Sequence, residues 1–86
     1  MVMKMSAWYD WSYNTKEYLH NKELQWRRFP QERVDHVHCE ICWAKIGNLS
    51  NELHEGYYEP TSNSWICHDC FVLLRNLFNW NSLEAN

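Results

Sequence analysis

Four cysteines set out as two identical pairs constrain this 86-residue chain more than any other feature. Cys39-Glu40-Ile41-Cys42 and Cys67-His68-Asp69-Cys70 each hold two sulfurs two residues apart, and 24 residues separate the pairs. A turn of that length aims both its sulfurs at one point, so two such turns complete a tetrahedral thiolate site with zinc–sulfur distances of about 2.3 Å. No cysteine is left over. The sequence therefore predicts one Zn2+ per chain, bound by Cys39, Cys42, Cys67 and Cys70. The gap between the pairs exceeds the ~15–20 residues usual in zinc ribbons, which predicts that the intervening loop carries structure of its own.

Other cysteine chemistry fits less well. Disulfides belong to oxidising compartments, yet Met1-Val2-Met3-Lys4-Met5 leads into polar and aromatic residues without the apolar segment of a signal peptide. A redox-active pair needs one Cys-x-x-Cys in a β-α-β setting, and that pattern is missing. Iron takes the same four sulfurs, but rubredoxin-like sites usually have glycine after each pair, where this chain has Trp43 and Phe71.

At this length an apolar core alone is marginal and a metal is a common supplement. The 45% hydrophobic content is too high for a disordered chain, and no run approaches the ~20 apolar residues of a membrane span. A cytoplasmic protein without a membrane partner is expected, of the size of a small bacterial or phage protein. Charge is uneven: residues 1–33 carry six Lys/Arg against four Asp/Glu, and residues 34–86 carry two against seven. Nucleic-acid modules usually present a basic face, and the cysteine half is acidic.

The N-terminal part is ambiguous. Leu24, Trp26 and Arg28 share one face of a strand, with His20-Asn21-Lys22 as its turn; alternatively Thr15 caps a helix running to Arg28. The Lys, Glu, Leu, Gln and Arg content of residues 16–28 favours the helix, and Pro30 ends either element. Further on, Gly56-Tyr57-Tyr58-Glu59 and Ser64-Trp65-Ile66 read as two strands about a turn at Pro60-Thr61-Ser62-Asn63-Ser64. From His68 to about Trp80 the pattern is helical, with Cys70, Leu73, Leu77 and Trp80 on one row and Phe71, Leu74 and Phe78 on the next.

A cysteine turn, a hairpin, and a cysteine pair opening a helix together resemble the treble-clef group of zinc fingers, over about Cys39 to Asn79. The resemblance rests on the four cysteines, with Trp65-Ile66 entering the second pair and Phe71 to Phe78 following it. It implies a small α+β, zinc-stabilised, treble-clef-like domain over residues 36–86, with residues 1–35 as an aromatic-rich N-terminal extension packed on it. Treble-clef domains serve unrelated functions, so the resemblance selects none.

Four cysteines satisfy zinc, so His36, His38, His54 and His68 are expected at the surface or around the site; His38, next to Cys39, is the nearest substitute ligand. A closed set of thiolates leaves no place for a reactive water, which argues against an enzyme. Asp35-His36 precedes the first cysteine pair, whereas HNH-type nucleases usually carry their pair after it. Six tryptophans exceed what so small a core buries, and Trp and Arg anchor protein interfaces. Trp43, Trp65 and Trp80 are expected to enclose the zinc site, while Trp8, Trp11, Trp26, Arg27 and Arg28 form a partner-binding face. The expected function is a non-catalytic interaction module, an adaptor or inhibitor binding another protein or itself. The alternative is a nucleic-acid-binding regulator using the basic and aromatic stretch 22–33.

Overall fold

The computed structural model describes residues 13–83. A turn of 3-10 helix at Glu17–Leu19 precedes β1 (Glu23–Arg28), β2 (Val37–His38), β3 (Lys45–Ile46), β4 (Glu55–Glu59), β5 (Ser64–Ile66), α1 (His68–Phe78) and β6 (Asn81–Leu83). The strand order β5-β4-β1-β6 makes the main sheet, and β2 and β3 form a separate two-stranded ribbon. β4 runs antiparallel to β1 and β5, and β6 runs parallel to β1. The result is a small α+β fold. No helix among the described residues is long and apolar enough to cross a membrane.

Residues 23–28 correct the expectation of a helix from Lys16 to Arg28. Asn21 takes the left-handed conformation (φ 60°), which Asn tolerates and which interrupts a right-handed helix. Beyond it both backbone edges of β1 are paired, one with β4 and one with β6. Helix propensities differ by only tenths of a kcal/mol among such residues, so this pairing and the full burial of Leu24 outweigh them. β1 is thus an inner strand of the sheet, and the sheet runs across the boundary drawn at residue 35.

The two sheet faces carry separate cores. On one, Leu24, Tyr57 and Ile66 meet Phe71, Leu74 and Phe78 of α1, with Leu19 and Trp80 completing the cluster. The Tyr57 and Phe71 rings stack with centroids 3.9 Å apart. On the other, Phe29, Ile46 and Trp65 join the sheet to the ribbon. Register explains the division. Tyr57 pairs with Ile66 while Tyr58 pairs with Trp65, so neighbours along β5 serve opposite faces.

α1 ends two residues before the predicted Trp80, because Asn79 adopts φ 61° and caps it. Around that cap the two ends of the described chain lock together. Asn21 N–H donates to the Phe78 carbonyl (2.8 Å), Asn79 Nδ2 to Asn21 Oδ1 (2.8 Å), and buried Trp80 Nε1 to the Leu19 carbonyl (2.7 Å). These bonds turn the chain back so that β6 lies beside β1. The hairpin of β4 and β5 agrees with the sequence reading, and Asn63 supplies its left-handed turn residue.

Glu59, almost fully buried at the end of β4, organises that turn by accepting hydrogen bonds from the backbone and hydroxyl groups of Thr61 and Ser62. Burial pushes its carboxyl up, but the bonds from Ser62 and Thr61 outweigh burial and hold it below its ordinary 4.5. A group with a depressed folded pKa contributes stability that is complete above its unfolded value and is lost as pH falls through the folded one. Glu59→Gln is therefore expected to cost about 1–3 kcal/mol at neutral pH and to weaken the acid dependence below about pH 5. Urea unfolding across that range measures both; wild-type and variant curves falling in parallel would place the acid-sensitive group elsewhere.

Candidate metal centre

The first cysteine pair is closed by the ribbon on either side of it. Val37 pairs with Ile46 and His38 with Lys45, so residues 39–44 must turn back within a short span. Cys39 N–H donates to the Ala44 carbonyl (2.8 Å) and Trp43 N–H to the Cys39 carbonyl (3.0 Å). Trp43 itself adopts φ 69°, the conformation a glycine after the pair would take most easily. This is how the turn closes without glycine.

The second pair straddles a strand end and a helix start. Cys67 follows β5 directly and is the N-cap of α1, and Cys70 lies in the first helical turn. The two pairs are brought side by side through the backbone, because Cys39 bridges to Trp65 and Glu40 N–H donates to the Trp65 carbonyl (2.8 Å). All four Sγ atoms lie within 4.8 Å of one another. Cys42 and Cys67 Sγ are 3.7 Å apart, against an edge of about 3.8 Å for a tetrahedron with 2.3 Å metal–sulfur bonds. Cys39 Sγ accepts backbone N–H groups from Ile41 (3.4 Å) and Cys67 (3.3 Å).

Electrostatics point to the same use. Hydrogen bonds from the Cys67 and Cys70 thiols hold Cys39 down at about 2. The Cys39 sulfur in turn pushes Cys67 up to about 12 and Cys70 well above the ordinary thiol range. A cation among the sulfurs would favour ionisation of the remaining thiols as well. The donor set fits one metal ion.

The other candidates separate cleanly. His54 Nδ1 bonds the Gly47 carbonyl (2.9 Å), His36 Nδ1 is 3.6 Å from Glu52 Oε2, the His38 ring packs against Trp43 at 4.4 Å, and the His68 ring lies near Trp26 and Tyr57. None joins the sulfur cluster. Glu40 accepts the Tyr18 hydroxyl (2.8 Å), and Asp35 pairs with Arg33. Trp80 shares the larger core cluster with Cys39, Cys67 and Cys70, whereas Trp65 packs with Phe29 and Ile46 and Trp43 faces outward with 69% of its surface exposed. Trp65 and Trp43 depart from the expected enclosure for different reasons: alternation along β5 puts Trp65 on the face opposite Ile66, and Trp43 sits in a turn with left-handed backbone.

The proposed partner face divides as well. Trp8 and Trp11 lie outside the described residues. Trp26 is 37% exposed with its ring edge on Tyr57 (4.8 Å), and Arg28 shares its side of β1, whereas Arg27 points to the opposite face, over Tyr58. Phe29 is fully buried. Sequence reasoning missed a hollow of about 690 Å³ that takes in the sulfur cluster itself, since Cys42, Cys67 and Cys70 line it together with Ala44, Leu53 and Leu73. Leu73, on the apolar helical row read from the sequence, lines it and is exposed.

Comparison with family models, curated proteins and solved structures finds no match.

The hydrogen bonding sets an order among the ligands. Cys39→Ser removes a buried sulfur that accepts two backbone N–H groups, whereas Cys42→Ser removes an exposed one. Both variants lose a ligand, but the first also disturbs buried donors at about 1–3 kcal/mol. Cys39→Ser is expected to melt lower and retain less metal than Cys42→Ser, by differential scanning calorimetry and elemental analysis. The reverse order would refute this ranking.

Proposed function

We propose that this chain is a non-catalytic, zinc-stapled module that binds another protein, with Zn2+ held by Cys39, Cys42, Cys67 and Cys70. Zinc suits a closed tetrahedron of thiolates because its filled d shell imposes no other geometry. Bound there, the ion ties the turn after β2, the hairpin and the start of α1 into one unit, and that succession supports the treble-clef-like reading. Four protein ligands leave no coordination position for water, so the ion's role is structural.

The observation that carries the binding function is Trp43. Its left-handed backbone costs a non-glycine residue about 1–2 kcal/mol, yet its ring is largely in solvent. Strain retained for an exposed side chain is explained when that side chain has work outside the fold. Tryptophan is the residue most able to anchor a protein interface. Trp26 and Arg28 form a second, smaller exposed set on β1. The alternative of nucleic-acid binding by residues 22–33 loses support from the burial of Phe29 and the opposite directions of Arg27 and Arg28.

Two measurements test the proposal. Elemental analysis should give close to one zinc per chain, and a strong chelator should abolish the fold, because metal binding and folding free energy are largely one quantity in so small a domain; unchanged circular dichroism after metal removal would sink the structural role. Trp43→Gly relieves the backbone strain at an entropic cost of similar size, so stability should stay within about 1 kcal/mol of wild type. Photo-crosslinking from position 43 in cell extract should capture a protein, and Trp43→Gly should abolish binding of that protein. A loss of more than about 2 kcal/mol in Trp43→Gly would make the ring part of the fold, and salt-sensitive binding of single-stranded nucleic acid would favour the alternative.

A further inference from the structure

We propose that the loop between β1 and β2 is an inhibitory loop that docks, with Val34 foremost, in the active site of a serine endopeptidase whose specificity pocket is small and apolar. The inference rests on residues 29–36 and Asn48, apart from the cysteines and from Trp43, so its failure would leave the binding proposed at Trp43 standing. Val34 is fully exposed, and its backbone enters no hydrogen bond among the described residues. The residues around it are fastened. Asn48 Nδ2 donates to the carbonyls of both Pro30 and Arg33 (3.0 Å each), and Arg33 N–H donates to the Pro30 carbonyl (3.2 Å). The Arg33 guanidinium lies 4.8 Å over the ring of fully buried Phe29 and donates to both carboxylate oxygens of Asp35 (3.0 and 2.7 Å).

A loop held in this way has already lost much of the freedom that binding would otherwise remove. What it offers is chemically narrow. One branched apolar side chain projects, which calls for a concave pocket on the partner. The backbone groups of Glu32 and Val34 are unpaired among the described residues, while the carbonyl between them, that of Arg33, is turned back to Asn48. Sites that take an extended peptide bond its main chain at alternate positions and sort it by side-chain pockets. Serine endopeptidases sort by one pocket above all: an acidic one takes a cation, a long slot takes a ring, and a small one takes a side chain such as valine. Arg33 is engaged by Asp35 and Phe29, so it is Val34 that is presented. In the step, the serine oxygen attacks the Val34 carbonyl carbon, a C–O ester bond forms, the C–N bond to Asp35 breaks, and the serine proton passes to the Asp35 nitrogen. The Arg33–Asp35 pair spans the broken bond and keeps the new amine beside the ester. The amine therefore re-forms the peptide bond and returns the proton before water enters, with no electrons gained or lost.

The test incubates the full chain, its zinc content measured first, with elastase, chymotrypsin and trypsin as probes of a small, a long and an acidic pocket. Inhibition of elastase is expected to be stronger than that of either other enzyme by about tenfold or more, with the Val34–Asp35 bond mostly uncut by mass spectrometry. Val34→Arg changes a fully exposed side chain, so its melting temperature should match wild type while inhibition moves from elastase to trypsin. Asn48→Ala removes two hydrogen bonds from the loop and should speed elastase cleavage at Val34–Asp35 about tenfold, turning an inhibitor into a substrate. Trp43→Gly should inhibit elastase as wild type does. Rapid cleavage of the wild-type chain at that bond, absence of elastase inhibition, inhibition that stays on elastase in Val34→Arg, or inhibition lost in Trp43→Gly each overturns the inference.

Discussion

The fold depends on the backbone bridge between Cys39 and Trp65, because that contact turns two separate cysteine turns into one site. Each turn satisfies its own geometry locally, the first within a ribbon of two-residue strands and the second at a helix start. Neither element has enough pairing or burial to persist by itself. Joined at Cys39 and Trp65, they set four sulfurs within 4.8 Å of one another, and the segment from 43 to 66 becomes a closed loop with little freedom to lose. The same contact seats Trp65 between Phe29 and Ile46, so the second core and the metal site are one construction.

A second constraint acts at the far end of the molecule. The sheet would end at β1 but for the return of β6, which needs a helix that stops at Phe78 and a chain that reverses at Asn79. Left-handed Asn21 and Asn79 sit side by side and bond through their side chains, so the residues that end one element and begin another hold each other in place. β1 thereby gains partners on both edges and becomes an inner strand of a sheet that would otherwise be three-stranded with β1 at its edge. Aromatic stacking of Phe71, Trp80 and Phe78 fills the space beneath it.

Much of this was legible where the chemistry is local. The cysteine spacing, the hairpin with its Asn63 turn, and the start of α1 at the second pair all follow from short-range rules, and the structure agrees with each. Propensity failed between residues 16 and 28, because the signal that decides a strand there lies in β4 and β6, over 25 residues away in sequence. The tryptophans were misplaced for a related reason. Periodicity tells which residues share a side of a strand, but Trp65 lies on a sheet whose two sides are both cores, and a turn residue such as Trp43 has no periodicity to read.

Charge gives the last step of the argument. One divalent ion with four thiolates would add two negative charges to a region, residues 34–86, that has seven acidic side chains against two basic ones. That charge has to be stabilised by the immediate surroundings. Two N–H donors do so at Cys39, and the positive end of α1 does so at Cys67 and Cys70. Cys42 lies on the exposed corner, where solvent takes the place of the backbone. Three sulfurs are thus buried in the fold, and the fourth is where the cluster meets solvent.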